Sequence, residues 1–428
     1  MRSTRPSRAR ARRSLAALTA CAAAALTFAA ASAHAAPVEV LHYWTSGGEA
    51  KSAQLLKKML EEKGDTWVDF AVAGGGGGNA MTALKTRVVA GNPPAAAQIK
   101  GPAIREWADQ GVLLPIDDVA KAGNWDHLLP HEIASIMKYD GQYVGAPVNI
   151  HRVNWLWINA DALKKVGAQP PKTWDDFFKV ADALKKAGIT PVAIGGQPWQ
   201  EAETFETVAL GVGGPSFYKK AFVDLDQATL KSPTMVKALE TFKRIKAYTD
   251  EGQVGRDWNL ATAMVINGKA AMQFMGDWAK GEFTVAGKTP GKDYLCVAAP
   301  GSQNDFTFNV DSFVFFKVKT AGVEKGQKDM AGLLMSPAFQ EAFNLNKGSI
   351  PVRQDLSLSK FDDCAKKSSA DFKAAGKTGG LVPSWAHDML VSPAVEGAFY
   401  DVIGNYWASK DETAQQAADK LAVAAKTN

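Results

Sequence analysis

Six short stretches of this chain set an aromatic ring or a charged side chain where a strand or helix should end. "HYWTSGGE" (42–49) carries Tyr43, Trp44 and Glu49; "QIKGP" (98–102) carries Lys100; "MGDWAKGE" (275–282) carries Asp277 and Trp278. "NVDSF" (309–313) offers Asn309 and Asp311, "LNKGSIPVR" (345–353) offers Lys347, and "PSWAHDM" (383–389) offers Trp385 and His387. Flat apolar rings with fixed donors and acceptors are what a sugar requires. Its C–H faces stack on indole, and its hydroxyls need partners once they leave water. A phosphate or carboxylate ligand would favour clustered arginines, and these stretches hold few. Each ring taken singly is equally at home in a core, because aromatics dominate cores as well as sites.

Other chemistries fit less well. "AGGGGGNAMTALKTR" (73–87) has the glycines of a phosphate loop but no Gly-Lys-Ser/Thr at the required spacing. Its glycines still permit close approach of a ligand or of another part of the fold. His127 and His131 stand four apart with Pro130 between them, which spoils a helical metal-ligand pair. No Gly-x-Ser-x-Gly elbow occurs. The sequence therefore implies no metal, no cofactor and no catalytic nucleophile. His151 and Trp155 read as structural.

The elements that would position these residues alternate along the chain, which argues for an α/β fold. Val38–Leu41 alternates as a strand and 50–63 has helical spacing, so Tyr43, Trp44 and Glu49 fall at a strand-to-helix turn, where α/β proteins bind ligands. Further helices are expected at 78–90, 102–110, 173–187, 202–211, 233–250, 328–345 and 392–425. The one at 173 has Thr173 as N-cap with Asp175 and Asp176 in its first turn. Strands are expected at 269–276 and 311–318, and chain crossovers between two lobes at 142–159, 295–302 and 346–353.

At 428 residues the chain is too long for one simple core. Its first 14 residues hold six arginines and no acid, 15–31 are apolar, and Ala33-His34-Ala35 forms a cleavage site, so 1–35 reads as a secretory signal peptide. "LTAC" (18–21) and "ARRSLAAL" (11–18) are weaker signs of lipidation and of twin-arginine export. Without the leader, 43 basic residues face 44 acidic ones, and the formal +5 of the whole chain disappears. That balance gives no reason to expect nucleic acid or a membrane surface as partner. Cys296 and Cys364 are the cysteines left, and an even number in an oxidising compartment suggests a disulfide.

Taken together with "YVGAPVNIHRVNWLWIN" and "PPKTWDDF", these stretches resemble the family-1 extracellular solute-binding proteins. These are the sugar-binding proteins of bacterial ABC importers, and the likeness is to their periplasmic glucose-binding (glucose/mannose-type) members. The resemblance covers nearly the whole chain after the leader. It implies a two-lobe α/β fold of the type II periplasmic binding kind, with the ligand cleft between lobes joined by a multi-segment hinge. The segments would be 36–148 and 299–346 for the N-lobe, and 149–298 and 347–428 for the C-lobe. It implies that Trp44 and Trp278 sandwich a hexose and that Tyr43 forms a wall. Glu49, Lys100, Asn309, Asp311, Lys347 and His387 would take its hydroxyls. Tyr43 stands where close relatives carry a second Trp, which bears on strict glucose selectivity. The implied partners are a monosaccharide (glucose, or galactose or mannose) and the membrane permease, with the protein a periplasmic monomer. An oligosaccharide or polyol binder of the same fold, and an exported glycosidase using Glu49 and Asp311, are the competing readings.

Overall fold

The computed structural model describes residues 36–427 together with Met1. The signal-peptide expectation falls on 2–35, outside the described residues. In chain order, the strands that build the site are β1 (Pro37–His42), β2 (Thr66–Ala71), β3 (Ala96–Gln98), β4 (Gly145–Pro147), β5 (His151–Arg152) and β6 (Trp155–Asn159). They continue as β7 (Thr190–Val192), β8 (Ala270–Phe274), β9 (Tyr294–Ala298), β10 (Phe306–Asn309), β11 (Ser312–Phe315) and β12 (Leu381–Pro383). The helices that matter are α1 (Gly47–Glu61), α2 (Pro198–Tyr218), α3 (Ala279–Val285), α4 (Pro337–Lys347) and α5 (Asp363–Thr378).

Two sheets form two lobes. One runs β2-β1-β3-β11-β4, with β1 parallel to β2 and β3, and β11 antiparallel to both its neighbours. The other runs β9-β6-β8-β7, with β6 antiparallel to β8 and β9. β8 is buried along its whole length, as a central strand covered on both faces should be. A small third sheet, β12-β10-β5, joins the lobes at three chain crossings, and an antiparallel bridge between Ile150 and Ile350 lies beside it. Neither core is continuous in sequence. The first unites residues from Val38 to Ile150 with residues from Phe306 to Met389; the second unites Leu156 to Ala299 with Val382 to Ala425.

Thr173 caps its helix as expected, its hydroxyl accepting the Asp176 N–H at 3.1 Å. Elsewhere local chemistry cuts elements that periodicity alone would run together. The helix expected over 328–345 is two, Val323–Leu334 and α4, because Ser336 caps a new helix and Pro337 starts it. The one expected over 392–425 breaks into Pro393–Ala408 and Ala414–Ala424, the second opened by a capping box of Thr413 and Gln416. α2 starts at Pro198, before the expected 202–211, and its span to Tyr218 is interrupted at Gly214, whose backbone is non-helical ahead of Pro215. α5 was not expected; its buried face is small, Cys364, Ala365, Ser368 and Ala375, and gives weak periodicity. At the expected crossover 295–302, β9 stays in the second sheet to Ala298, and β10 then runs in the small sheet beside β5.

Cys296 and Cys364 form a disulfide with Cα atoms 6.0 Å apart, tying β9 to the first turn of α5. Beside it Lys280 of α3 pairs with Asp362, the N-cap of α5, at 3.0 Å. Among the described residues no helix is long and apolar enough to cross a membrane.

Candidate functional site

β1 ends at His42 and α1 begins at Gly47, so Tyr43 and Trp44 lie on the turn between them, at the edge of the first sheet. Trp44 is nearly buried. Its ring meets Phe313 edge-on at 5.5 Å and lies 5.1 Å from Phe343, so core aromatics hold it and leave little of it uncovered. Tyr43 is fixed by its backbone N–H, which donates to Gln98 Oε1 at 3.3 Å. Its ring lies against Gly77, where a Cβ would come within 3.1 Å of it. Gly77 has φ 114°, so this glycine is required twice over, by conformation and by space.

Across the cleft, Trp278 follows β8 and opens α3. Its ring folds back over Gly276, where any Cβ would meet it at 2.2 Å. His151 and His387 approach it nearly edge-on, at 5.1 Å and 5.0 Å, and its Nε1–H donates to Met275 Sδ at 3.0 Å. The two tryptophans thus project from different lobes into one cavity of about 270 Å³.

Most of the charged groups around this cavity already have partners. Glu49, in the first turn of α1, accepts from Lys347 Nζ at 2.7 Å and from the Ser46 hydroxyl at 3.2 Å. Lys347 closes α4, with Gly348 in the left-handed region behind it. Lys100 pairs with Asp388 at 2.8 Å. Burial alone would lower its pKa, but Asp388 and the neighbouring Tyr43 and Asp311 raise it, so it stays charged. Asp311 accepts from Gln98 Nε2 (3.2 Å), Asn149 Nδ2 (3.2 Å) and His151 Nε2 (3.0 Å). Burial alone would raise its pKa, yet His151, Lys347 and Lys100 hold it well below the usual carboxylate range. His151 bridges Asp311 and Asp277 with its two ring nitrogens. Burial works against its charge, but the two carboxylates win and raise its pKa. Each cation around the cavity is already held by a carboxylate, so none is free for an anion, and the cavity suits a neutral ligand rich in hydroxyls. Three wall atoms are buried without a partner: the Tyr43 hydroxyl, Asn309 Oδ1 and His387 Nε2.

All nine residues singled out from the sequence, Tyr43, Trp44, Glu49, Lys100, Trp278, Asn309, Asp311, Lys347 and His387, line this one cavity. His151 lines it too, with both ring nitrogens engaged by carboxylates. Trp385, by contrast, is buried in the second core, stacked on Phe222. Gln197, Trp199, Asp257 and Asn259 also line the wall and were missed. "QPW" (197–199) and "DWN" (257–259) repeat the pairing of an indole with a polar neighbour and could have been found by it. Trp199 Nε1–H donates to Gln197 Oε1 at 2.8 Å, and Gln197 Nε2 donates to Asp257 at 2.6 Å.

The glycine run is a point of contact between lobes. It lets the first lobe touch the second: a Cβ on Gly76 would lie 3.0 Å from the Trp199 ring. The lobes also meet where Gly48 packs on Gly281, with the Gly48 N–H donating to Glu282 at 2.7 Å, and where Gly101 faces Asp388. A second cavity of about 250 Å³ lies beyond Tyr43 and shares Tyr43, Gly76, Gly77 and Lys100 with the first; Trp107 and Tyr400 stand on its walls. Among the described residues no group of three or more His, Cys, Asp or Glu could hold a metal ion.

A family model for bacterial extracellular solute-binding proteins matches residues 45–327. The "Probable sugar-binding periplasmic protein" of Brucella melitensis is 52% identical over 366 residues, 86% of each chain. Among solved structures, a chitin oligosaccharide binding protein superposes with TM-score 0.76 at 20% identity, covering 91% of this chain and 98% of that one. A bacterial solute receptor described as having an exclusive preference for β-D-galactopyranose superposes with TM-score 0.75 at 19% identity, covering 90% and 97%.

Proposed function

From the premise that this chain belongs to the bacterial extracellular solute-binding proteins, we propose that it is the periplasmic sugar receptor of an ABC importer, taking a free hexose, D-glucose first among them. The observation that carries this reading is the cavity: two indoles from opposite lobes, cations each already held by a carboxylate, and a volume below the ~300–1,000 Å³ of pockets for drug-sized ligands. Trp44 and Trp278 take the two faces of the ring, and Tyr43 walls it. Glu49, Lys100, Asn309, Asp311, Lys347 and His387 take hydroxyls, with charged partners worth roughly 1.5–3 kcal/mol each.

The lobes divide at 148/149, 298/299 and 346/347, so a ligand between them touches both only when they close. That differential contact is what shifts the population to the closed form the permease reads. The receptor acts as a monomer. Its carboxylates are poor catalysts as held, Glu49 by Lys347 and Asp311 by three donors, so the cavity binds and does not hydrolyse.

The second cavity favours one competing ligand, a disaccharide or longer glycan threading past Tyr43. Calorimetric titration decides between them, using mature protein unfolded and refolded to strip bound sugar. One-to-one binding of D-glucose, galactose or mannose at micromolar Kd or tighter, about −8 kcal/mol or better, supports the hexose reading. Heat from maltose or a longer glycan alone overturns it.

A further inference from the structure

Behind Trp278 lies an acid that no part of this account has used. Glu203, on α2, is fully buried, and neither of its carboxyl oxygens has a hydrogen-bond partner. The acids around it are committed elsewhere. Glu206 accepts from Ser384, Tyr218 and the Trp385 N–H, while Asp277 accepts from His151 and the Arg152 N–H. The group Glu203 faces is His387, whose Nε2 is also buried and unpartnered, 3.7 Å from Glu203 Oε2 and so slightly beyond hydrogen-bond length.

A buried carboxylate with no side-chain donor is costly. Burial, with Glu206 and Asp277 nearby, outweighs the lowering effect of the Gly276 backbone N–H and pushes Glu203 well above the usual carboxylate range, so it holds its proton at neutral pH. His387 is pushed the other way, by burial first and then by Lys100, against the opposing pull of Asp388 and Asp311; it stays neutral. Two hydrogen bonds are open to a carboxylic acid facing a neutral imidazole at Nε2: if Nε2–H donates to the acid carbonyl, the buried acid proton is left without an acceptor, whereas if the acid donates to Nε2, both the acid proton and the ring lone pair are satisfied and Nδ1 carries the ring proton.

We propose that Glu203 is a positioning residue that fixes His387 in the Nδ1-protonated tautomer, so that the ring presents a hydrogen-bond donor to a ligand in the cavity. This rests on the reading of the cavity as the ligand site. Glu203 touches no ligand itself. It decides whether His387 gives or receives a hydrogen bond, and thereby which ligand atom the ring selects.

The test begins with ligand-free ¹⁵N-labelled protein at neutral pH, where ring-nitrogen shifts show which nitrogen is protonated; His387→Gln assigns the resonances. Protonated Nδ1 is expected in the native chain and in Glu203→Gln, whose amide can donate from the same place. Glu203→Leu is expected to release the tautomer and weaken D-glucose binding roughly tenfold, with Glu203→Gln close to native. A native ring protonated at Nε2 overturns the proposal, as does a Leu variant that keeps both tautomer and affinity. Should the Leu variant fail to fold, the native and Gln spectra still decide. A protonated Nδ1 in a protein that binds no glucose upholds Glu203 as the residue that fixes the ring, and overturns glucose as the ligand.

Discussion

Lys347 Nζ lies 2.7 Å from Glu49 Oε1, and both side chains are largely out of solvent. The pair therefore spans the gap between the start of α1 and the end of α4 with its charge already neutralised. A hydroxyl arriving beside it finds a fixed donor and a fixed acceptor without having to organise either. Lys347→Met removes the donor and leaves Glu49 unpaired. Hexose affinity should fall by about tenfold to a hundredfold, from ~1.5–3 kcal/mol for a charged hydrogen bond, as read by titration calorimetry.

Trp278→Ala should abolish hexose binding while the protein stays folded. The ring is held by His151, His387 and Met275 at the cavity wall, so losing it costs about 3–5 kcal/mol of stability and removes one face of the sandwich. Circular dichroism checks the fold and calorimetry the binding. Retained affinity in a folded variant would take Trp278 out of the site.

Tyr43→Ala should join the two cavities, of about 270 and 250 Å³. Glucose affinity should drop as the wall is lost, and a disaccharide such as maltose should gain relative to glucose. A variant that loses both equally would show that Tyr43 does not partition the cleft.

The carboxylate–imidazole–carboxylate bridge predicts a stability optimum. His151 has a folded-state pKa raised by Asp277 and Asp311 over the opposing effect of burial. Its contribution is full below its unfolded value of about 6.5 and is lost as pH rises through the folded value. Asp311 is lowered by His151, Lys347 and Lys100 over the opposing effect of burial. Its contribution is present above its unfolded value of about 3.9 and is lost as pH falls through the folded one. Thermal midpoints followed across pH should show both limbs. His151→Gln, which strands two buried carboxylates, should cost roughly 3–5 kcal/mol at neutral pH and flatten the alkaline limb.

The disulfide closes a sequence separation of 68 residues, for which chain entropy predicts about 4 kcal/mol of stabilisation. A Cys296→Ala, Cys364→Ala double variant should melt several degrees lower. Its hexose affinity should be near native, because neither sulfur reaches the cavity. An unchanged melting point would show that α5 is secured without it.

What was legible in the sequence was the chemistry at element ends. "HYWTSGGE" announced a strand, two rings and a helix start, and the chain folds that way. Boundaries set by a single cap, as at Ser336 and Thr413, were lost inside longer apolar patterns, because a cap is one side chain against many in the periodicity. α5 went unseen because small buried residues carry little hydrophobic signal. Gln197, Trp199, Asp257 and Asn259 were missed although they obey the same pairing, and only the fold reveals that two distant helix starts face one space. Nothing linear in the chain could link Glu203 to His387, 184 positions apart.

The discontinuous cores have a consequence in time. The second core takes residues from Val382 to Ala425, and β12 supplies an edge of the small sheet at the crossings. A ribosome or a secretion channel delivers these segments last. Until then the first nine-tenths or so of the chain cannot complete either its second core or its junction, and most of its closing contacts span long stretches of sequence. Such a chain folds late and slowly. It remains threadable while it is being delivered, and becomes a receptor only once its final helices have arrived.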